Sequence, residues 1–180
     1  MRWFWLDRFT EFASGSHATA TKCVSLSEDY IHEHWPGYPV MPNSLVAEGM
    51  AQTSGLLVSE AYRFSELVVL AKFARCEFDG EVRPGETLTY HAKIDQMKDA
   101  GASAVVTAHV GDRQHAMAEI FFARIDANAA GNATGISRRL FDPAHLLHWL
   151  RLVGVFDVGV RQDGSRLRVE DYAFGAETSN

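Results

Sequence analysis

Two side chains have the types and the spacing that proton transfer requires. His34 stands in a proline-rich loop, and Glu48, fourteen residues later, is the only charged residue among positions 35–59. An imidazole and a carboxyl group can remove one proton and deliver another, so the pair is typical of general acid–base catalysis. The alternatives for the single residues are an ordinary surface histidine and a solvated glutamate near a helix start, where the helix dipole favours an anion.

The residues that follow Glu48 predict how its carboxyl group is held. Gln52 lies four residues further on, hence on the same helix face, and its amide could orient the carboxyl group. Gly55 and Ser59 continue this face as a polar track of small side chains. Such a track is equally typical of a helix that packs closely against a sheet.

The histidines could also bind a metal ion. His32 and His34 are two residues apart, and His145 and His148 share a helix face, but neither pair has a third ligand nearby in the sequence. The two cysteines form no paired metal-binding motif. We therefore expect no metal.

The elements that must position these side chains follow from the hydropathy pattern. An apolar helix is predicted to begin at Asn43 or Ser44, directly after Pro42, and to run to about Tyr62. The residues before it, 27–42, are expected to be irregular because they carry three prolines. Strands are predicted at residues 3–12, 17–26, 66–79, 87–94, 102–110 and 114–125. One apolar helix among about six antiparallel strands predicts an α+β fold, with the sheet wrapped around the helix.

Composition divides the chain into a main domain and an extension. Residues 1–126 hold all the elements named above, and residues 127–137 are small, polar and glycine-bearing, which is typical of a linker. Residues 138–180 form the C-terminal extension. Its predicted elements are a short helix from Asp142-Pro143 to about Leu152 and two hairpin-like strands at 153–161 and 165–172.

Composition and charge exclude several classes of protein. The 180 residues are 47% apolar and carry a net charge of −6, which argues against general nucleic-acid binding. No apolar run approaches the roughly 18 residues that a membrane span needs. Asp7 interrupts the first apolar residues before they could form the core of a signal peptide. We therefore expect a cytoplasmic protein without a membrane partner.

The residues around the histidine and the glutamate resemble a known family. The run His34–Pro42, HWPGYPVMP, and then Leu45, Glu48 and Met50-Ala51-Gln52 are similar to the active-site segment of β-hydroxyacyl-(acyl carrier protein) dehydratases of the hotdog fold. That family has a Gly-His-Phe-Pro-Gly loop, a Pro-Val-x-Pro-Gly turn and a helix that begins Glu-Ala-Met-Ala-Gln. The resemblance covers residues 2–126 and includes Leu6-Asp7-Arg8 and Val82-Arg83-Pro84-Gly85-Glu86.

The resemblance implies a role for each of these residues. His34 would remove the α-proton of a β-hydroxyacyl thioester, and Glu48 would protonate the departing hydroxyl. The backbone N–H of Asn43 would stabilise the enolate-like oxygen. The supporting residues would be Gln52, Pro42 and Gly37. Glu48 and Ala51 match the branch of the family that dehydrates without moving the double bond.

The resemblance also implies partners. In this family the histidine and the carboxylate come from different subunits, so a homodimer, or a higher oligomer built from it, is expected to have its sites at the interface. The substrate would be carried on the phosphopantetheine of acyl carrier protein or on coenzyme A. No further cofactor is expected.

Two residues depart from the family pattern, and they keep other functions open. The glycine before the histidine is Glu33 here, and the glycine after the second proline is Asn43. A non-catalytic acyl-binding protein is one alternative, and a hotdog thioesterase that directs water to the thioester carbonyl is another. Dehydration in a polyketide or other specialised pathway would be the same chemistry on a different chain.

Overall fold

A helix of 19 residues, α2 (Asn43–Ala61), lies against one face of a seven-stranded sheet. The computed structural model describes residues 4–125 and 143–174. The strands are β1 (Arg8–Ala13), β2 (His17–Cys23), β3 (Leu67–Phe78), β4 (Thr87–Lys98), β5 (Gly101–Val110), β6 (Arg113–Ile125) and β7 (Gly159–Val160). The other helices are α1 (Asp29–Glu33), α3 (Pro143–Leu152) and α4 (Val155–Val158), followed by a 3₁₀ turn at Val169–Asp171.

The sheet has the order β3-β6-β5-β4-β2-β1-β7. Its pairs are antiparallel except for β1 and the short β7, which run parallel. Helix α2 packs against strands β2 to β6. The predicted α+β architecture, one long helix held in a curved antiparallel sheet, is therefore confirmed as a hotdog fold.

Alternation along the strands decides which face of the sheet meets the helix. In β4, Leu88, Tyr90 and Ala92 are buried, whereas His91 and Lys93 are exposed. In an antiparallel sheet with one covered face, such alternation directs apolar side chains to the core and polar ones to solvent. The inner face of the sheet and the buried residues of α2 form the core.

Helix and sheet approach each other most closely at Gly49. A Cβ atom at this position would lie 2.4 Å from the hydroxyl oxygen of Tyr90 and 2.9 Å from the backbone oxygen of Trp5. Only glycine fits there, because any side chain would push the helix off β4. This contact fixes the height of α2 above the sheet at the residue next to Glu48.

The segment before α2 is less irregular than the sequence predicts. Asp29–Glu33 form the one-turn helix α1, in which Ile31 is buried. The prediction for residues 27–42 was wrong over this turn, since the prolines that prevent regular structure begin only at Pro36. The first strand also begins later than predicted, at Arg8 rather than at residue 3.

The extension contains the predicted helix, but its two predicted strands are much shorter than the sequence suggests. Residues Pro143–Leu152 are helical as predicted. Most residues of 153–161 and 165–172 do not belong to a strand. Gly154, with a left-handed φ of 73°, starts helix α4, and a single bridge between Val160 and Arg166 joins the two runs. Around this bridge the N–H of Arg161 donates to the carbonyl of Ser165 (2.8 Å) and the N–H of Leu167 to the carbonyl of Gly159 (3.0 Å). The strands are shorter than predicted because Val155–Val158 is helical and because Gly159 and Val160 also pair with β1. The predicted linker 127–137 lies outside the described residues.

The extension shares the core of the rest of the chain. Strand β7 pairs with β1 through Phe12 and Ala13, and the backbone N–H of Phe9 donates to the carbonyl of Val153 (2.7 Å). The ring of Phe4 stacks on Trp149 with centroids 4.4 Å apart. At the far end, the Tyr172 hydroxyl donates to the buried carboxylate of Glu60 (2.7 Å). Within the described residues, no helix is long and apolar enough to span a membrane.

We predict that the protein loses stability below about pH 6.5 through His115. This histidine is buried, and its Nδ1–H donates to the carbonyl of Asp79 (2.9 Å), while Nε2 has no hydrogen-bond partner among the described residues. Burial lowers the pKa of His115 from its ordinary value of 6.5. The unfolded chain therefore takes up a proton at a higher pH than the folded one, so this contribution is complete above pH 6.5 and is lost as the pH falls towards the depressed pKa.

Urea unfolding between pH 5 and pH 8 measures this effect. His115→Gln should show a shallower fall of unfolding free energy with acidity than the parent protein does. His148→Gln, at an exposed position of α3, is the matched control and should keep the parent's slope. Equal slopes for the parent and His115→Gln would contradict the prediction.

Candidate active site

Glu48 lies in the second turn of α2 and is half-buried. The side-chain amide of Gln52 donates from Nε2 to Glu48 Oε1 at 2.9 Å. Gln52 Oε1 accepts the backbone N–H of Trp5, also at 2.9 Å. Because the oxygen of this amide is occupied by an N–H donor, its NH₂ group must face the carboxylate. Glu48 is thus held by an amide that is itself tied to the N-terminal segment.

His34 lies directly after α1, where it is the C-terminal cap. Its backbone N–H donates to the carbonyl of Tyr30 (3.1 Å), and its side chain is exposed. The chain then turns at Gly37, whose φ of 79° favours glycine. Trp35, in the same loop, is 61% exposed. The histidine is therefore presented to the outside of the single chain by a short helix and a tight turn.

The far end of this loop is anchored by Tyr38. Its hydroxyl donates to Glu81 (2.7 Å) and accepts from Arg83 (3.1 Å), and Arg83 also lies over the tyrosine ring at 5.2 Å. Hydrogen bonding to Glu81 raises the pKa of Tyr38. Sequence reasoning did not find this clamp. An aromatic residue in a proline-rich loop was visible, but its partners lie more than forty residues away.

Pro42 and Asn43 form the entry to α2. Pro42 is buried with a φ of −59°, and its carbonyl accepts the N–H groups of Leu45 (2.9 Å) and Val46 (3.2 Å). Asn43 is the exposed first residue of the helix. The first N–H groups of a helix have no acceptor within it and lie at the positive end of its dipole. The helix start can therefore stabilise a negatively charged oxygen.

Of the predicted site residues, Glu48 and Gln52 are joined by a side-chain hydrogen bond in the described part of the chain. Among the described residues, the His34 side chain has no hydrogen bond to Glu48, and Glu33 forms no ion pair with His34. Gly37, Pro42 and Asn43 shape the backbone between them. No group of three histidine, cysteine, aspartate or glutamate side chains in the described ranges could hold a metal ion.

Strand β3 is an edge strand with an open side. In the described part of the chain it pairs only with β6. Leu70 and Phe73 face the same side of the sheet as their buried partners Phe122 and Ile120, but Leu70 is 45% exposed and Phe73 is half-buried. An unpaired edge of twelve residues beside half-exposed apolar side chains is suited to pairing with another chain.

Comparison with known proteins connects these features to a family. A family model described as a FabA-like domain matches residues 3–119. The 3-hydroxyacyl-[acyl-carrier-protein] dehydratase FabZ of Listeria monocytogenes is 38% identical over 123 residues, which are 67% of this chain and 85% of that protein. FabZ of Macrococcus caseolyticus is 33% identical over 122 residues, 67% of this chain and 84% of that protein.

A solved structure shows the same fold at much lower identity. A hypothetical thioesterase with coenzyme A from Streptococcus pneumoniae has a TM-score of 0.56 and 13% identity, and the likeness covers 68% of this chain and 88% of that one. This likeness supports the hotdog architecture alone. The family match over residues 3–119, together with the FabZ relatives, shows that the chain belongs to the FabA-like family of hotdog proteins.

Proposed function

We propose that this protein dehydrates 3-hydroxyacyl thioesters to trans-enoyl thioesters in fatty-acid biosynthesis, with His34 as the base and Glu48 as the acid. The observation that carries the proposal is the carboxyl group of Glu48. It is half-buried, oriented by Gln52 at 2.9 Å, and placed near a helix start in a chain whose first part matches the FabA-like domain. Proton donation needs a carboxyl group in this kind of fixed position.

The proposed reaction moves two protons and breaks one carbon–oxygen bond. The imidazole of His34 takes the proton from the carbon next to the thioester carbonyl, and negative charge develops on the carbonyl oxygen. The N–H of Asn43 at the start of α2 stabilises that charge. The hydroxyl on the next carbon leaves as water with the proton of Glu48, and a double bond remains. The pair is restored when His34 gives up its proton and Glu48 regains one.

We propose a homodimer in which each site takes His34 from one subunit and Glu48 from the other. The exposed position of the His34 side chain supports this arrangement, as does its lack of a hydrogen bond to Glu48 among the described residues. The open edge of β3 and the half-exposed Leu70 offer a surface for a second copy. Joining two such edges would continue the sheet across the dimer.

The carrier of the acyl chain is part of the proposal. We propose that the substrate is bound to the phosphopantetheine of acyl carrier protein, as the names of the FabZ relatives indicate for those proteins, with coenzyme A as the alternative carrier. No further cofactor is needed, because the two protons are supplied and taken by side chains. The cytoplasmic location expected from the sequence stays a prediction.

A spectroscopic assay tests the proposed activity. The purified protein is mixed with 3-hydroxyacyl thioesters of several chain lengths on both carriers, and absorbance of the conjugated enoyl thioester is followed beside a thiol-reactive probe. We expect enoyl thioester to form without release of thiol. Thiol release without enoyl product would identify a thioesterase, and binding without either product would identify an acyl-binding protein.

Gln52→Leu is predicted to lower kcat about 10-fold with KM nearly unchanged, since a hydrogen bond to a charged group contributes about 1.5–3 kcal/mol. The leucine fills similar space but cannot donate to Glu48, so the carboxyl group loses its fixed direction. Steady-state dehydration kinetics measure the effect, with Ser59→Ala on the same helix face as the control. A kcat equal to that of the parent would show that Gln52 does not orient the acid.

A further inference from the structure

Lys22 is a buried lysine with three oxygen partners. Its side chain is 8% exposed and lies on strand β2. The ammonium nitrogen lies 2.7 Å from Glu28 Oε1, 2.9 Å from the carbonyl oxygen of Cys23 and 3.5 Å from Asp7 Oδ1. A buried ammonium is costly unless its N–H donors are paired, and here each of the three finds an acceptor. The position of this charge is therefore narrowly defined.

Glu28 connects the Lys22 ammonium group to helix α1. It is the N-terminal cap residue of α1, so it stands immediately before the helix. Its second oxygen, Oε2, accepts the backbone N–H of Ser25 (3.0 Å) and the hydroxyl of Tyr30 (2.7 Å). The carboxylate thus joins the lysine of β2, the chain before α1 and a side chain within α1. Asp7 adds a link to β2 through the N–H of Cys23 (2.6 Å).

Helix α1 is too short to be stable without contacts to the rest of the protein. It has five residues, far fewer than the roughly 12–15 that an isolated helix needs. Its hydrogen bonds run from Ile31 N–H to the Glu28 carbonyl (3.0 Å) and from His34 N–H to the Tyr30 carbonyl (3.1 Å). The backbone of His34 is therefore located by Tyr30 and Glu28, together with the buried side chain of Ile31.

We propose that Lys22 and Glu28 are positioning residues for His34. The buried ion pair fixes the start of α1, and the end of α1 places the imidazole at the correct distance from the substrate. This inference rests on the proposed function, because the position of His34 matters for turnover only if His34 is the base. A misplacement of about 1 Å can cost about 100-fold in rate, so a remote ion pair can have a large effect on kcat.

Lys22→Met is the principal test, because methionine keeps the length of the apolar stem and removes the ammonium. We expect kcat to fall about 10- to 100-fold with KM changed less than about 2-fold. Hydrogen exchange should become faster in the segment 28–36, while the amides of β4 to β6 keep their protection. Lys22→Arg restores a cation and should return kcat to within about 3-fold of the parent.

If Lys22→Met fails to fold, a milder variant of the same network replaces it, and a lysine variant at an exposed site is the control. Tyr30→Phe removes only the hydroxyl that binds Glu28 and should give a smaller fall in kcat with the same local increase in exchange. Lys93→Met makes the same chemical change at an exposed site of β4 and should leave kcat and exchange unchanged. Melting temperatures of all variants separate local from global effects.

The outcomes distinguish this inference from the proposed function. His34→Ala is measured in the same series. If it is inactive while Lys22→Met and Tyr30→Phe keep the parent's kcat, the positioning role is overturned and the proposed function stands. If kcat falls only together with faster exchange throughout the sheet, the pair is merely structural and the inference is again overturned. If His34→Ala keeps full activity, His34 is not the base, and the positioning inference is overturned together with that part of the proposed function.

Discussion

His34→Ala and Glu48→Gln are each expected to lower kcat for dehydration by about 1,000-fold or more, because general acid–base groups contribute roughly 10²- to 10⁴-fold and this reaction needs two of them. The fold should be unaffected. The His34 side chain is exposed, and glutamine at position 48 keeps the shape of the glutamate beside Gln52. Enoyl absorbance measures the rate, and a melting temperature equal to the parent's shows that only the chemistry has changed.

Mixing the two inactive variants tests where each side chain comes from. If every site takes His34 from one subunit and Glu48 from its partner, a mixed dimer contains one intact site. Statistical mixing by unfolding and refolding together should then restore about one quarter of the parent's activity. If both residues of a site came from the same chain, no mixed dimer would have an intact site and no activity would return. Full activity in either single variant would exclude that residue from catalysis.

Removal of residues 127–180 is expected to destabilise the main domain strongly. The extension covers Phe9 and pairs with the edge of β1, and Tyr172 binds the buried Glu60. Each large apolar side chain that becomes fully exposed costs about 1.5–3 kcal/mol. Globular domains have only about 5–15 kcal/mol of stability in total. The shortened chain should therefore aggregate on expression or melt about 10 °C or more below the parent.

A point variant in the extension shows how much stability its packed side chains contribute while the chain itself is kept intact. Leu150, in α3, is fully buried, and Leu150→Ala should cost about 2–5 kcal/mol through the cavity that it leaves. Leu152 in the same helix is 61% exposed, so Leu152→Ala is the control and should change stability by less than about 0.5 kcal/mol. Thermal and urea unfolding measure both variants. If the shortened protein had the same melting temperature as the parent, the extension would contribute no stability to the main domain.

The main elements could be predicted because their patterns are local. Helix α2 has apolar residues at helical spacing and begins after a proline, and β4 alternates between apolar and polar residues from Thr87 to Ile94. The extension was predicted less well. Residues 153–161 are as apolar as a strand, but Gly154 starts a helical turn, and the short strand β7 pairs with β1 as well as bridging to Arg166. Local propensity could not reveal this, because the partner surface lies about 140 residues away.

The sequence by itself determined the candidate chemistry: His34 and Glu48 stand out because one lies in a proline-rich loop and the other is the only charged residue among positions 35–59. It also placed Gln52 on the same helix face. Only the tertiary structure decided how these groups are held. Gln52 is oriented by the backbone of Trp5, Tyr38 by Glu81, and α1 by the pair of Lys22 and Glu28. Helical spacing is a short-range property of the chain, whereas these hydrogen bonds exist only once the sheet has brought distant residues together.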